Sequence, residues 1–352
     1  MPTHRRTRLR RHVLVLLGTA LGALMAMCLL PYPEYYRYFE IIDESRPKPP
    51  WIYQRIHYDP TGIDVAFFGT SRTDGSVDSR IVARVLRKKL DRSLNVVNFA
   101  LPRTGRNMQY LLARELLQNR KVKMIIFELG PLEDRIGHPQ FVTLADPWEV
   151  LTAPILMNLR YVEDLARLPG REAYLFLRFL QTKAGLWPLP FEETGYHGST
   201  FDRVDTIPGL SLEETMSRDV VKTKEELDAE LAEYMEGVTP SLLPDSMSDW
   251  EWRMDRFYVR KTRNLAEESG AGFALTYLPF YSRYEMAEHV KKSYLGHIPV
   301  LDAPELVRTP DCWLDPDHLN AQCGRRYSEY VGNWVADLLV KSGKLEAPRT
   351  PQ

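Results

Sequence analysis

The sequence predicts a three-layer α/β/α domain with about five parallel strands between two layers of helices. Three observations point there. Short apolar runs alternate with amphipathic helical stretches in both halves of the chain, a mostly helical tract interrupts that alternation, and one charge-free apolar segment stands apart at the N-terminus. The 352 residues are 44% hydrophobic and 26% charged, the balance of a globular protein and not of a disordered or fibrous one.

Residues 1–12 form a basic tail. Arg5, Arg6, Arg8, Arg10 and Arg11 contribute +5 to a net charge of −1, so the remainder carries −6. A body of that sign lacks the clustered cations that the nucleic-acid backbone requires, which argues against nucleic acid as a partner. Residues 13–30 carry no charge, and as a helix they rise about 27 Å, close to the hydrocarbon thickness of a bilayer. Arginines on the near flank and Tyr32, Tyr35 and Tyr36 on the far flank predict a single-pass anchor. Its N-terminus would be cytoplasmic, and the bulk of the chain periplasmic or extracellular. A cleaved signal peptide has the same charged-then-apolar order, although no small-x-small cleavage site follows.

Residues 31–62, rich in proline and tyrosine, read as a membrane-proximal linker to a domain spanning 63–342. That domain opens with a strand at 64–68, a helix at 77–90, a strand at 94–99, a helix at 106–118 and a strand at 122–129. From 131 to 249 helical stretches (148–168, 171–180 and 212–236) are broken by Pro, Gly and Trp, which suggests an insertion and not a second domain. The alternation resumes with a helix at 251–268, strands at 272–278 and 297–301 around a short helix at 285–292, and a closing helix at 321–340. Residues 343–352 are a tail.

In open parallel sheets the working residues gather past the carboxyl ends of the strands. Ser71, in Gly69-Thr70-Ser71 just beyond the first strand, is either a hydroxyl presented to a cleft or an ordinary helix cap. No Gly-Lys-Ser/Thr follows, so this is not a phosphate loop. Asp315-Pro316-Asp317-His318 lies before the last helix. An imidazole there can take a serine proton while the carboxylate three residues earlier fixes its tautomer; the plainer alternative is a polar turn. Gly105, in the stretch 98–107 closing the second strand, lets a backbone N–H approach a reacting oxygen or simply starts a helix. Arg72 and Arg103 are either cations for an anionic substrate or surface arginines at helix starts. Cys312 and Cys323 flank the Asp315–His318 pair, and a disulfide and two free thiols both remain open. Their spacing around His318 is not that of a zinc site, and a cluster of His318, Asp315 and Asp317 has only one imidazole. No metal or cofactor is expected.

The order of these pieces resembles the SGNH (GDSL-like) hydrolase superfamily over about residues 63–130 and 250–340. The resemblance implies a flavodoxin-like fold in which Ser71 is the nucleophile and Asp315 and His318 are the acid–base pair. The N–H groups of Ser71 and Gly105 would form the oxyanion hole. The family's third block normally reads Gly-x-Asn-Asp, its asparagine donating to the oxyanion; here it is Gly130-Pro131-Leu132-Glu133-Asp134, with no asparagine. A lost donor costs on the order of 10²–10³ in rate, so either Arg72, Asn107 or a group from the insertion substitutes, or the site is weak. The anchored form is similar to the branch of alginate O-acetylation and lipoteichoic-acid D-alanylation proteins. That implies an esterase or O-acyltransferase acting on a cell-envelope or extracellular polysaccharide, beside a membrane-embedded acyltransferase. The alternative is a catalytically silent accessory protein that binds polysaccharide through insertion aromatics (Trp148, Tyr161, Tyr174, Phe176, Phe179, Trp187, Phe191), most of which recur at the spacing of core residues.

Overall fold

Strands rich in Val, Ile and Phe with no polar alternation bury both of their faces, which is the condition for a parallel sheet covered by helices on each side. The computed structural model describes residues 3–41, 48–103, 105–187, 206–208, 215–238, 240–302 and 304–345. In chain order it contains α1 (Thr3–Met27), α2 (Tyr35–Phe39), α3 (Lys48–His57), β1 (Val65–Phe68), α4 (Ser71–Ser76), α5 (Ser79–Leu90), β2 (Val96–Asn98), α6 (Arg106–Asn119) and β3 (Met124–Leu129). The insertion follows with α7 (Phe141–Leu144), α8 (Pro147–Thr152), α9 (Tyr161–Lys183), β4 (Thr206–Pro208), β5 (Thr215–Ser217), α10 (Lys224–Glu236) and α11 (Ser248–Glu251). Then come α12 (Arg253–Glu268), β6 (Gly272–Tyr277), α13 (Glu288–Tyr294), β7 (Val300–Leu301), β8 (Trp313–Asp315), β9 (His318–Leu319) and α14 (Ala321–Lys341).

Five strands pair in parallel in the order β2-β1-β3-β6-β7. Alternate residues point to opposite faces. Val65, Phe67 and Ile126 meet Val82 and Leu86 of α5 and Val331, Val335 and Leu339 of α14. Ala66, Phe68, Ile125 and Phe127 meet Leu112 and Leu116 of α6 and Met254 and Tyr258 of α12. The chain therefore leaves β1 toward β2 on one side and returns to β3 on the other. Between β1 and β3 the connections diverge and leave a crevice at the carboxyl ends, where such sheets place their sites.

Several local expectations are corrected. Residues 31–62 are not a bare linker: among the described ones Tyr38, Ile41, Trp51, Ile52 and Ile56 are buried in the core, and Lys48 pairs with Asp74 of α4. The helix expected at 77–90 forms as α5, opened by Asp78, which accepts from Arg80 N–H and Ile81 N–H, and a short separate helix, α4, precedes it at 71–76. In the insertion α9 runs through Pro169 as one helix, and β4 pairs with β5 in an antiparallel ribbon. Phe191, residues 346–352 of the tail and residues 212–214 lie outside the described residues; the helix expected over 212–236 begins only at Lys224, where Thr223 caps it, and Thr215–Ser217 forms β5 instead. At the N-terminus one window, Arg10–Met27, is long and apolar enough to cross a membrane and is unburied, which fits an anchor or a signal sequence alike.

Candidate active site

Beyond Phe68 the chain turns into α4. Thr70 takes the cap position, extended at φ −98°, and its hydroxyl accepts Arg72 N–H at 3.2 Å. Ser71, one residue on, is therefore released from capping and presents its hydroxyl to β9. His318 Nε2 lies 2.7 Å from Ser71 Oγ, and Nδ1 lies 3.0 Å from both oxygens of Asp315. A carboxylate only accepts, so Nδ1 carries the hydrogen and Nε2 is left to accept from the serine. Burial works to raise the Asp315 carboxyl. The hydrogen bond and charge of His318, with the N–H groups of Asp317 and His318, outweigh it and hold Asp315 below the usual carboxylate range. Two loops about 250 positions apart thus meet in one hydrogen-bonded series.

The segment bearing the acid–base pair is fixed from several sides. Cys312 and Cys323 are joined in a disulfide that closes the loop containing both Asp315 and His318. Asn320 caps α14 by accepting Cys323 N–H at 3.0 Å. Arg218, from the insertion, lies so close to Gly75 that a side chain there would collide with its guanidinium, which donates to Leu319 O at 3.0 Å. A missing Cβ in α4 is what lets the insertion hold the histidine strand.

Glu128, the last residue but one of β3, holds the serine turn. It is 2% exposed, and its Oε2 accepts from Thr70 N–H (2.9 Å), Thr73 N–H (3.1 Å) and Thr73 Oγ1 (2.7 Å), with Thr70 Oγ1 3.0 Å from both oxygens. Burial alone would raise its carboxyl; the charges of Arg72 and Arg106 and these hydrogen bonds bring it below the ordinary value. The motif reading did not assign Glu128 a role. Its signal was there: one carboxylate inside the otherwise apolar run Met124-Ile125-Ile126-Phe127-Glu128-Leu129.

Ser71, Arg72, Arg103 and Gly105 line one small cleft of about 80 Å³, together with Arg106, Glu128, Gly130–Leu132 and Asp255. Among the described residues neither Ser71 N–H nor Gly105 N–H donates a hydrogen bond. Gly105 sits at φ +142°, and a Cβ there would strike the backbone of His138, so only glycine fits. Arg103 is exposed with φ +70°. Arg72 turns inward: it is 4% exposed, donates to Leu278 O and Pro279 O, lies 3.1 Å from Asp317 and stacks on the Phe280 ring. Asn107 does not join the cleft lining. Its Oδ1 accepts Met108 N–H and His138 N–H at 2.9 Å each and so fixes the 137–138 turn.

On the other side of the acid–base pair a groove of about 1080 Å³ runs between Asp315–His318 and the insertion, walled by residues 131–136, Tyr234 and Trp252. Buried ion pairs stiffen that wall: Glu133 takes Arg256 in two hydrogen bonds (2.8 and 2.6 Å), and Arg135 pairs with Glu251 at 2.6 Å. Of the insertion aromatics singled out above, Trp148, Tyr161, Tyr174, Phe176, Phe179 and Trp187 line neither this groove nor the cleft at Ser71; Trp148 is 72% exposed on α8. Among the described residues no group of three His, Cys, Asp or Glu could hold a metal ion.

Fold and site together define a doubly wound α/β protein with a serine–histidine–aspartate series at its topological switch point. Compared with models of known families and with curated proteins, the chain matches none.

Proposed function

We propose that this chain is a membrane-anchored acyl-ester enzyme of SGNH type, an esterase or O-acyltransferase acting on a cell-envelope or extracellular polysaccharide. The observation that carries the reading is the 2.7 Å approach of His318 Nε2 to Ser71 Oγ, with Asp315 behind it, at the mouth of a groove. Ser71 Oγ attacks the ester carbonyl as its proton passes to His318 Nε2, and Asp315 stabilises the imidazolium. The carbonyl oxygen becomes an oxyanion facing the N–H groups of Ser71 and Gly105. The tetrahedral intermediate collapses, His318 returns the proton to the leaving oxygen, and the acyl group remains on Ser71. Water or a sugar hydroxyl, deprotonated by His318, then takes the acyl group and frees the serine. Arg72 acts here as a clamp on the 278–280 loop. In the groove Glu230, Glu233 and Asp134 suit a neutral polymer better than a uronate. The N-terminal helix, and the exposed Trp148, Ile155, Leu159 and Val162 at the start of the insertion, suit a bilayer and a membrane-embedded acyl donor.

A fluorophosphonate probe tests this on the full-length protein. Wild type should be labelled and Ser71→Ala should not. Absence of label from wild type, or equal label on Ser71→Ala, would overturn the proposal. The silent accessory reading draws on the third block without its asparagine. It would be favoured if the double variant Ser71→Ala, His318→Ala left polymer acylation intact.

A further inference from the structure

The third block supplies no asparagine, but the cleft at Ser71 contains a carboxyl group that the mechanism above does not use. Asp255, in the first turn of α12, is 3% exposed and lines the same small cleft as Ser71, Gly105 and Arg106. Its Oδ2 accepts Asp134 N–H at 2.8 Å, and its Oδ1 is buried with no hydrogen-bond partner among the described residues. A buried carboxylate oxygen with no donor is costly, whereas a buried carboxylic acid with a free O–H is a donor awaiting an acceptor.

We propose that Asp255 is held as a neutral acid and donates a hydrogen bond from Oδ1 to the oxyanion formed on the acyl group at Ser71, where the family pattern would use an asparagine. This deepens the esterase or acyltransferase reading and rests on it. The bookkeeping of protons is simple. The serine proton goes to His318 and from there to the leaving oxygen, while Asp255 keeps its own proton throughout.

The surroundings favour the neutral form. Burial pushes the Asp255 carboxyl up to about 7; Arg106 from α6 opposes this, the Asp134 carboxylate adds to it, Asp134 N–H opposes it and Glu133 adds to it. From α13 the buried Tyr294 faces the same group. Glu133 has its own counter-charge in Arg256, and Arg106 is shared with Glu128. A carboxylic acid kept neutral by an apolar setting is an effective oxyanion donor at neutral pH.

The test uses full-length protein in detergent and hydrolysis of p-nitrophenyl acetate from about pH 5 to about pH 9. Wild-type kcat/KM should fall on the alkaline side as Asp255 ionises near pH 7. Asp255→Asn, whose amide accepts from Asp134 N–H and donates with Nδ2, should stay within a few-fold of wild type at its optimum and lose the alkaline fall. Asp255→Leu should lose on the order of 10²–10³ in kcat/KM. A wild-type profile with no alkaline fall, the same fall in Asp255→Asn, or an Asn variant as impaired as the Leu variant would each overturn the inference. Should Asp255→Leu fail to fold, the wild-type and Asn profiles decide alone. Ser71→Ala separates the two levels. If it hydrolyses the ester as wild type does, the underlying reading fails. If Ser71 is essential and the Asp255 variants behave as wild type, only the donor assignment fails.

Discussion

Replacing Glu128 by Gln exchanges one carboxylate oxygen in the core for an amide nitrogen and should disable the site from behind. The carboxylate takes four donors from Thr70 and Thr73, mostly on Oε2, and faces the cations Arg72 and Arg106. If the Gln amide nitrogen occupied the Oε2 position it would meet two N–H groups head on, so the oxygen must stay there and the NH₂ must face the arginines. The donors then keep a neutral acceptor in place of a charged one, a loss of about 1 kcal/mol each. The charge of Glu128 is lost to both Arg106 and Arg72, although Arg72 keeps Asp317 at 3.1 Å, and removing one member of a buried pair typically costs about 3–5 kcal/mol. The terms overlap, and a net destabilisation of about 3–5 kcal/mol is expected, a large part of the roughly 5–15 kcal/mol of a typical domain. Urea unfolding of full-length protein in detergent measures this, and the rate of fluorophosphonate labelling measures the disordered serine turn. A midpoint and a labelling rate both equal to wild type would refute the assignment of Glu128 as the group that holds Ser71.

Other consequences follow from the same geometry. Asp315→Asn keeps the shape but lets the imidazole take the wrong tautomer, and should lower turnover on the order of 10⁴ with little change in far-ultraviolet circular dichroism. Gly105→Ala combines a left-handed backbone with a clash against His138; it should cost about 1–3 kcal/mol in thermal unfolding and slow turnover by about 10²–10³ as the N–H is displaced. Reducing the Cys312–Cys323 bond, whose cysteines are 11 positions apart, should lower stability by about 3 kcal/mol, read by unfolding with and without dithiothreitol, and slow labelling because His318 lies within the loop. Stability should also depend on pH in two opposite ways. The folded state of Asp255 keeps its proton up to about pH 7 while the unfolded state releases it near pH 4, so its contribution falls as pH rises between them, by up to about 4 kcal/mol. Asp315 and Glu128 lie below their ordinary values, so what they contribute is present above about pH 4 and is lost as pH falls through their folded values. Asp255→Asn should remove the first slope and leave the second, as measured by unfolding midpoints across that range.

The strands and most of the helices were legible because their signals are local. Runs such as Val65-Ala66-Phe67-Phe68 and Met124-Ile125-Ile126-Phe127 cannot face water on either side, and the 3.6-residue period of α6, α12 and α14 is written in consecutive residues. Gly69-Thr70-Ser71 and Asp315-x-x-His318 were legible as motifs, though each alone reads as well as a cap or a turn. What the sequence could not assign depends on distance in space. Only packing brings His318 to Ser71, turns Arg72 inward onto Leu278 and Pro279, and directs Asn107 to His138 and away from the cleft. The residues 31–62 look like a linker because proline and tyrosine are common in linkers, and become core because α6 and α9 offer them apolar surface. A carboxylate such as Glu128 or Asp255 has no fixed meaning in one dimension. Its charge state and role follow from which donors, cations and apolar walls the fold sets around it, and those come from parts of the chain more than a hundred residues away as well as from near neighbours.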